Sequence, residues 1–269
     1  MVVVQGLDIQ KVKAMTTEKW FNKQLFYLAE VTSTNDWIKK QGQLGKLEGT
    51  LLVADQQTAG RGSHGRSWES PTGTGLWFSF LLRPNLEPGI TTALAPLVAY
   101  SLVATLKEDY HLPVAIKWPN DVIINGKKLA GILTEIETDG LHIKYVTVGV
   151  GINVNMKQMP GAIAQKATSL FLETKKIFQR EQLLVDFMIR FCKDYQQFCK
   201  EGSLKSFIAS YNKYLFHYDK KIWVLRGEQK EVCKSLGIKE NGNLEIEGAA
   251  GKQSLCMGEV SLRGEQAYI

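Results

Sequence analysis

Paired cysteines are missing from this chain. Its four cysteines, Cys192, Cys199, Cys233 and Cys256, include no C-x-x-C pair, and the four histidines do not cluster near them. That excludes a disulfide framework and a zinc site of the usual spacing. Cys192 and Cys199 fall on one face of an expected helix and read as small core residues. The N-terminal valines give way quickly to polar residues, too short an apolar run for a signal peptide. No stretch is expected to reach the roughly 18 apolar residues that span a bilayer. The chain therefore reads as cytoplasmic, with no membrane partner. Internal repeats and low-complexity segments are also lacking. So are the Lys-Ser/Thr of a Walker A loop and the glycine spacing of a dinucleotide fingerprint.

What is present is ordinary in bulk. A chain of 269 residues, 44% hydrophobic and 22% charged, has room for one large domain or one plus a small one. Lys plus Arg number 33 against 27 Asp plus Glu, a net charge of +6. That excess suits an anionic ligand. Because the charges are spread along the chain, it does not establish nucleic-acid binding.

Residues 1 to about 30 read as a lead-in, too short for a helix-turn-helix DNA reader. Thr32 to Asn35 supplies N-cap residues for a helix to about Gln41. Thr50 to Ala54 reads as a buried strand. The aperiodic stretch from Thr58 to Gly75 reads as a long loop, of the kind that usually carries function. Strands are expected over Leu76–Leu82, Val114–Trp118 and Asp121–Ile124, with a helix over Thr91–Tyr110. Asn125-Gly126 and Asp139-Gly140 are hairpin signals. They bracket a strand to Thr138, and another follows from Leu141 to Val154. Such hairpins favour a mixed, largely antiparallel sheet with flanking helices, an α+β fold. Two core-facing helices come next, one carrying Leu184, Phe187, Met188, Phe191, Tyr195 and Phe198 at helical spacing, the other over Leu204–Leu215. From about Lys220, short strands and Gly turns predict a small five- or six-stranded β barrel. The division is then 1–30, 31–217 and 218–269.

Four segments carry chemistry. Gly60-Arg61-Gly62-Ser63-His64-Gly65-Arg66-Ser67-Trp68 combines glycines that let backbone N–H groups approach phosphate, two arginines with paired donors, and an indole that covers apolar ligand. The same residues also describe a mobile basic loop with Trp68 in the core. Lys117-Trp118-Pro119-Asn120-Asp121 sets a cation, a rigid turn and an acid together, which suits phosphate with Mg²⁺ on Asp121. Asp121 reads equally well as a turn residue bonded to nearby backbone. Lys128 enters an apolar strand, where an unpaired cation is costly. Gly149-Val150-Gly151-Ile152-Asn153 allows close approach to the strand and offers a donor and an acceptor on Asn153.

These segments, with Ser33-Thr34-Asn35, Gln57, Lys128-Leu129-Ala130-Gly131-Ile132-Leu133 and Gly258-Glu259-Val260-Ser261-Leu262-Arg263, resemble in order the motifs of bacterial biotin protein ligases. The resemblance covers about residues 31 to 265. It implies a class II synthetase-like catalytic domain with a C-terminal SH3-like barrel. It implies ATP and biotin as substrates, Mg²⁺ beside the phosphates, and two steps. Biotin is first activated to biotinyl-5′-AMP with release of pyrophosphate. A lysine of the biotin carboxyl carrier protein of acetyl-CoA carboxylase then takes the biotinyl group. Ser33, Thr34, Asn35, Gln57, Gly60, Arg61, Gly62, Ser63, Trp68, Lys128 and Gly131 are implied to hold biotin. Arg61, Arg66, Lys117, Asn120, Lys128 and Asn153 are implied to hold ATP, with Lys128 and Arg61 catalytic. Glu259 and Arg263 are implied to close the site over ATP or to contact the carrier. Relatives include monomers and homodimers. Ser63 stands where the family usually has a cation, which implies a looser grip on the adenylate. No DNA binding is expected. The other readings weighed are a lipoate or octanoyl ligase and a biotin-binding module without turnover.

Overall fold

Alternation and turn chemistry place the strands in a computed structural model, which describes residues 6–16, 18–140, 142–161, 163–227, 229–257 and 261–263. The strands are β1 (Leu25–Val31), β2 (Leu51–Gln57), β3 (Leu76–Leu82), β4 (Val114–Lys117), β5 (Asp121–Ile124), β6 (Lys127–Thr138), β7 (Ile143–Ile152), β8 (Lys221–Arg226), β9 (Gln229–Ile238), β10 (Leu244–Gly248), β11 (Gly251–Leu255) and β12 (Ser261–Arg263). The α-helices are α1 (Ile9–Ala14), α2 (Lys19–Asn22), α3 (Thr34–Gln43), α4 (Leu94–Ala104), α5 (Leu170–Thr174), α6 (Arg180–Glu201) and α7 (Ile208–Tyr214). The chain divides into two compact units, one of residues 1–85 and 129–193, the other of 86–128 and 194–269. The division passes through β6 between Lys128 and Leu129.

In the first unit β1 and β2 pair in parallel, and β2–β3, β3–β7 and β7–β6 pair antiparallel. Strand β1 falls where the sequence suggested a lead-in, and Leu7, Val12 and Phe21 ahead of it are buried. The period of two sorts the side chains between faces. On one face Ile38 of α3 packs with Leu52, Leu81 and Tyr145. On the other, Phe78 and Phe80 meet Phe187 and Phe191 of α6, with ring centroids 5.6 Å apart for Phe78–Phe187 and 5.0 Å for Phe80–Phe191. Both faces of β3 are therefore covered, and all seven of its residues are buried.

Beneath α6 lies a buried ion pair. Arg180 Nη1 donates to Asp55 Oδ1 at 2.8 Å and to the Gly75 carbonyl at 3.1 Å. The Tyr27 hydroxyl donates to Asp55 Oδ2 at 2.7 Å. Burial and this bond to a carboxylate push the Tyr27 phenol up to about 12. Removing one partner leaves the other charged and dry. Asp55→Ala is expected to cost about 3–5 kcal/mol in a urea titration. A loss under about 1 kcal/mol would mean that Arg180 finds another partner.

In the second unit, residues 88–109 form one continuous helical stretch of 22 residues, long and apolar enough by composition to cross a membrane. The sequence reading anticipated no such run. Most of it is buried within the unit, where α4 packs on β4, β5 and α7. Pro96 sits in the first turn of α4, where the preceding 3₁₀ turn of residues 88–93 passes into the α-helix. The β4–β5 hairpin is antiparallel, and the Trp118–Pro119 peptide is cis. Asn125 and Gly126 both take positive φ, 46° and 78°, as a two-residue hairpin turn requires. The C-terminal strands form a five-stranded antiparallel sheet in the order β11-β10-β9-β8-β12. It buries Ile222, Val224, Cys233, Ser235, Leu244, Ile246 and Leu255. Gly258, Glu259 and Val260 lie outside the described residues.

Candidate functional site

The α3 face of the first unit carries three glycines close together. Across β3, β7 and β6 the register sets Trp77 opposite Gly151 and Gly151 opposite Gly131; the next pairs are Ser79 with Gly149 and Gly149 with Leu133. A Cβ on Gly151 would lie 2.6 Å from the Trp68 indole, and one on Gly149 would lie 2.0 Å from Asn35 Oδ1. The sequence reading had these glycines admit a ligand or another backbone. They admit the side chains of Trp68 and Asn35, which lie directly on the strand. Trp68 meets Trp77 edge-on at 6.3 Å, and Met156, Met159 and Ala167 back this aromatic wall.

A chain of hydroxyl and amide groups borders the glycines. Ser33 caps α3, its Oγ accepting from Asp36 N. Thr34 donates its backbone N–H (2.8 Å) and its hydroxyl (3.0 Å) to Gln57 Oε1. Gln57 Nε2 donates to Ser70 Oγ at 2.8 Å. Ser79 Oγ lies 2.7 Å from Thr34 Oγ1 and 2.6 Å from Asn35 Oδ1. Its single proton serves one of them at a time. Asn35 Nδ2 donates to Glu135 Oε2 at 2.8 Å. Ser33, Thr34 and Asn35 are all buried. Among the described residues, the Ser33 hydroxyl proton and the second hydrogen of Gln57 Nε2 meet no acceptor.

The glycine loop closes on itself beside this set. Gly62 N donates to the Arg66 carbonyl at 2.7 Å, and Trp68 N to the Gly60 carbonyl at 2.8 Å. A Cβ on Gly60 would meet the Trp68 carbonyl at 2.4 Å. Residues 63–65 form one 3₁₀ turn within what the sequence gave as irregular loop. Arg66 is exposed, and its Nε donates to the Ser63 carbonyl at 3.3 Å, so this cation folds back onto its own loop. Arg61 Nη2 donates to Asp36 Oδ1 (2.5 Å) and to both Glu135 oxygens (3.2 and 2.9 Å). Neither acid was singled out from the sequence. Asn153 Nδ2 donates to the Thr168 carbonyl at 2.9 Å.

The second unit holds the other cations. Lys128 Nζ lies 2.5 Å from Asp121 Oδ1. Asp121 pairs in register with Lys117 across β4–β5, Lys117 is buried, and Asn120 stands in the intervening turn. No group of three or more metal-binding side chains occurs among the described residues. Mg²⁺ needs an available carboxylate or substrate phosphates. One oxygen of the Asp121 carboxylate is engaged by Lys128, so Asp121 by itself does not make up a metal site.

Near Lys117 lies His217, also buried. Burial first, then repulsion from Lys117 and Lys220, lowers its imidazole to about 4. The folded protein thus favours neutral His217. Its contribution is fully present above the unfolded value near 6.5 and is lost as pH falls toward 4. The total is about 3 kcal/mol. Unfolding free energy is expected to fall over that window, with a shallower slope in His217→Phe. An unchanged slope in the variant would show that other groups carry the acid sensitivity.

A glycine-lined strand face, an aromatic wall, a bordering set of hydroxyls and amides, and an arginine loop thus lie together in the first unit. Comparison with known proteins makes this specific. Residues 27–153 match the model of the biotin/lipoate A/B protein ligase family. The bifunctional ligase/repressor BirA of Bacillus subtilis is 36% identical over 182 residues, 67% of this chain and 56% of that protein. A biotin--[acetyl-CoA-carboxylase] ligase of Mycobacterium tuberculosis is 36% identical over 153 residues, 55% of each. The chain thus spans little more than half the length of these curated relatives. The biotin protein ligase from Aquifex aeolicus, solved in complex with biotin and ATP, is 34% identical with a TM-score of 0.77, covering 90% of this chain and 99% of that one. The chain belongs to the biotin/lipoate A/B protein ligase family, among biotin protein ligases of the bacterial type.

Proposed function

We propose that this protein is an ATP-dependent biotin protein ligase. The observation that carries the reading is the interlocked set Thr34, Asn35, Gln57, Ser70 and Ser79 on a glycine floor beside Arg61. It occurs in a chain similar over 90% of its length to a ligase solved with biotin and ATP. In this reading the Ser33–Asn35 segment and Gln57 hold the biotin head group. Buried polar groups of this kind discriminate strongly, because an acid lacking the partner groups leaves them unpaired. Trp68 covers the ligand's apolar body, while Lys117, Asn120 and Arg66 serve the nucleotide.

The chemistry needs two anions to meet. A carboxylate oxygen of biotin bonds to the α-phosphorus of ATP, and the bond to the bridging oxygen breaks, releasing pyrophosphate. Arg61 and Lys128 supply fixed positive charge where that repulsion is greatest. The carrier lysine, as free amine, then attacks the acyl carbon, AMP leaves with the bonding pair, and the amine sheds a proton. The second step needs orientation and exclusion of water rather than a further cation. The acceptor in this reading is the biotin carboxyl carrier protein of acetyl-CoA carboxylase, in the cytoplasm.

The test is exchange of labelled pyrophosphate into ATP, driven by biotin or by lipoate, followed by transfer to a carrier domain. Biotin-driven exchange is expected. Lipoate-driven exchange would move the protein to the other branch of its family, and no exchange with either acid would leave a binding module.

A further inference from the structure

We propose that Glu135 is a positioning residue that couples the acid-binding pocket to the arginine loop; this rests on the ligase reading. One of its carboxylate oxygens, Oε2, accepts from Asn35 Nδ2 at 2.8 Å and from Arg61 Nη2 at 2.9 Å. No other described carboxylate bonds both a pocket amide and the loop cation. Its place follows from the strand. Glu135 stands two residues beyond Leu133 and four beyond Gly131 on β6, so the period of two puts it on the face of the floor. Its side chain is 25% exposed, against 52% for Asp36, the other partner of Arg61. Glu135 is thus the deeper and less screened of the two.

Two consequences follow for the pocket. Asn35 offers an amide that can be turned either way. With Nδ2 on Glu135, its Oδ1 is left facing the Ser79 hydroxyl at 2.6 Å. A carboxylate accepts only, so it fixes that orientation. Arg61 bonds described residues through Nη2 alone. A guanidinium carries five N–H groups, and Nη2 accounts for two. Glu135 and Asp36 therefore hold one corner of the fork and leave Nε and Nη1 for an incoming anion. The acids orient the arginine without using it up. One carboxylate thereby fixes a binding amide and a reacting cation together.

The test is a pair of double-mutant comparisons, with single-turnover adenylation and biotin calorimetry as readouts. Glu135→Ala alone is expected to raise the biotin dissociation constant and lower the adenylation rate, each about tenfold, while Glu135→Gln, which keeps an acceptor, recovers most of the affinity. In an Asn35→Ala background, adding Glu135→Ala should change biotin affinity by less than about twofold. In an Arg61→Lys background it should change the adenylation rate by less than about threefold. A residue that merely supports the fold would instead multiply both losses. Full multiplicative losses, or Glu135→Ala with normal affinity and rate, would overturn the proposal. Wild-type protein with no biotin-dependent exchange would sink the ligase reading and this inference with it. An active wild type with multiplicative losses would sink the inference alone.

Discussion

Lys128→Ala is expected to slow biotin-dependent pyrophosphate exchange by about 10²–10³-fold, while the biotin dissociation constant rises less than about tenfold. The asymmetry follows from the role proposed for the ammonium. Neutral contacts to the biotin head act equally before and during reaction. A cation between carboxylate and phosphate acts most strongly as the two anions close, so its loss appears in the rate. Lys128 suits that task because it is held: Asp121 on the adjoining strand sits 2.5 Å from Nζ, and the lysine side chain is only 24% exposed. A fixed charge pays no reorganisation when the reactants meet. Asp121→Asn should lower the rate less, by loosening the lysine rather than deleting it. Exchange near wild-type levels in Lys128→Ala, with the protein folded by circular dichroism, would place the decisive cation elsewhere, Lys117 being the next to test.

What the sequence made readable was local. Asn125-Gly126 announces its hairpin because few residues tolerate two successive positive φ values, and both occur here. Ser33 announces the start of α3 by its hydroxyl, which caps Asp36 N. Leu76–Leu82 is legible as a strand because an apolar run of that length can only be buried. The strand β1 was not legible, since its partner lies 26 positions on, Leu25 opposite Leu51, and nothing in Leu25–Val31 states that pairing. Arg61 and Asn35 stood out by type and motif. Glu135 did not: within Thr134-Glu135-Ile136-Glu137 it looks like one more solvated acid on an alternating strand. Only the register, which carries Glu135 to the face shared with Gly131 and Leu133, turns it toward Asn35 and Arg61. The split of β6 between two compact units is likewise a product of contacts distant in sequence.

The second large effect is expected at Gly149. Its φ lies outside the positive range, so the backbone accepts alanine and the penalty is steric alone. The new Cβ would fall 2.0 Å from Asn35 Oδ1 and 2.8 Å from its Cγ. Asn35 cannot swing aside cheaply. It is buried and bonded to Ser79, Glu135 and the Leu133 carbonyl. Displacing it strands several polar groups at about 1–3 kcal/mol each. Gly149→Ala should therefore weaken biotin binding by about a hundredfold and lower stability together. Two such losses from one change invite the objection that the variant is simply misfolded. Adding Asn35→Ala answers it. The second truncation opens the space that the new methyl needs, so stability should largely return. Biotin affinity should stay low, because the amide proposed to bind the head group is now gone. Recovery of both would show that Asn35 serves packing only. Retention of wild-type affinity by Gly149→Ala alone would show that the ligand does not depend on where Asn35 lies.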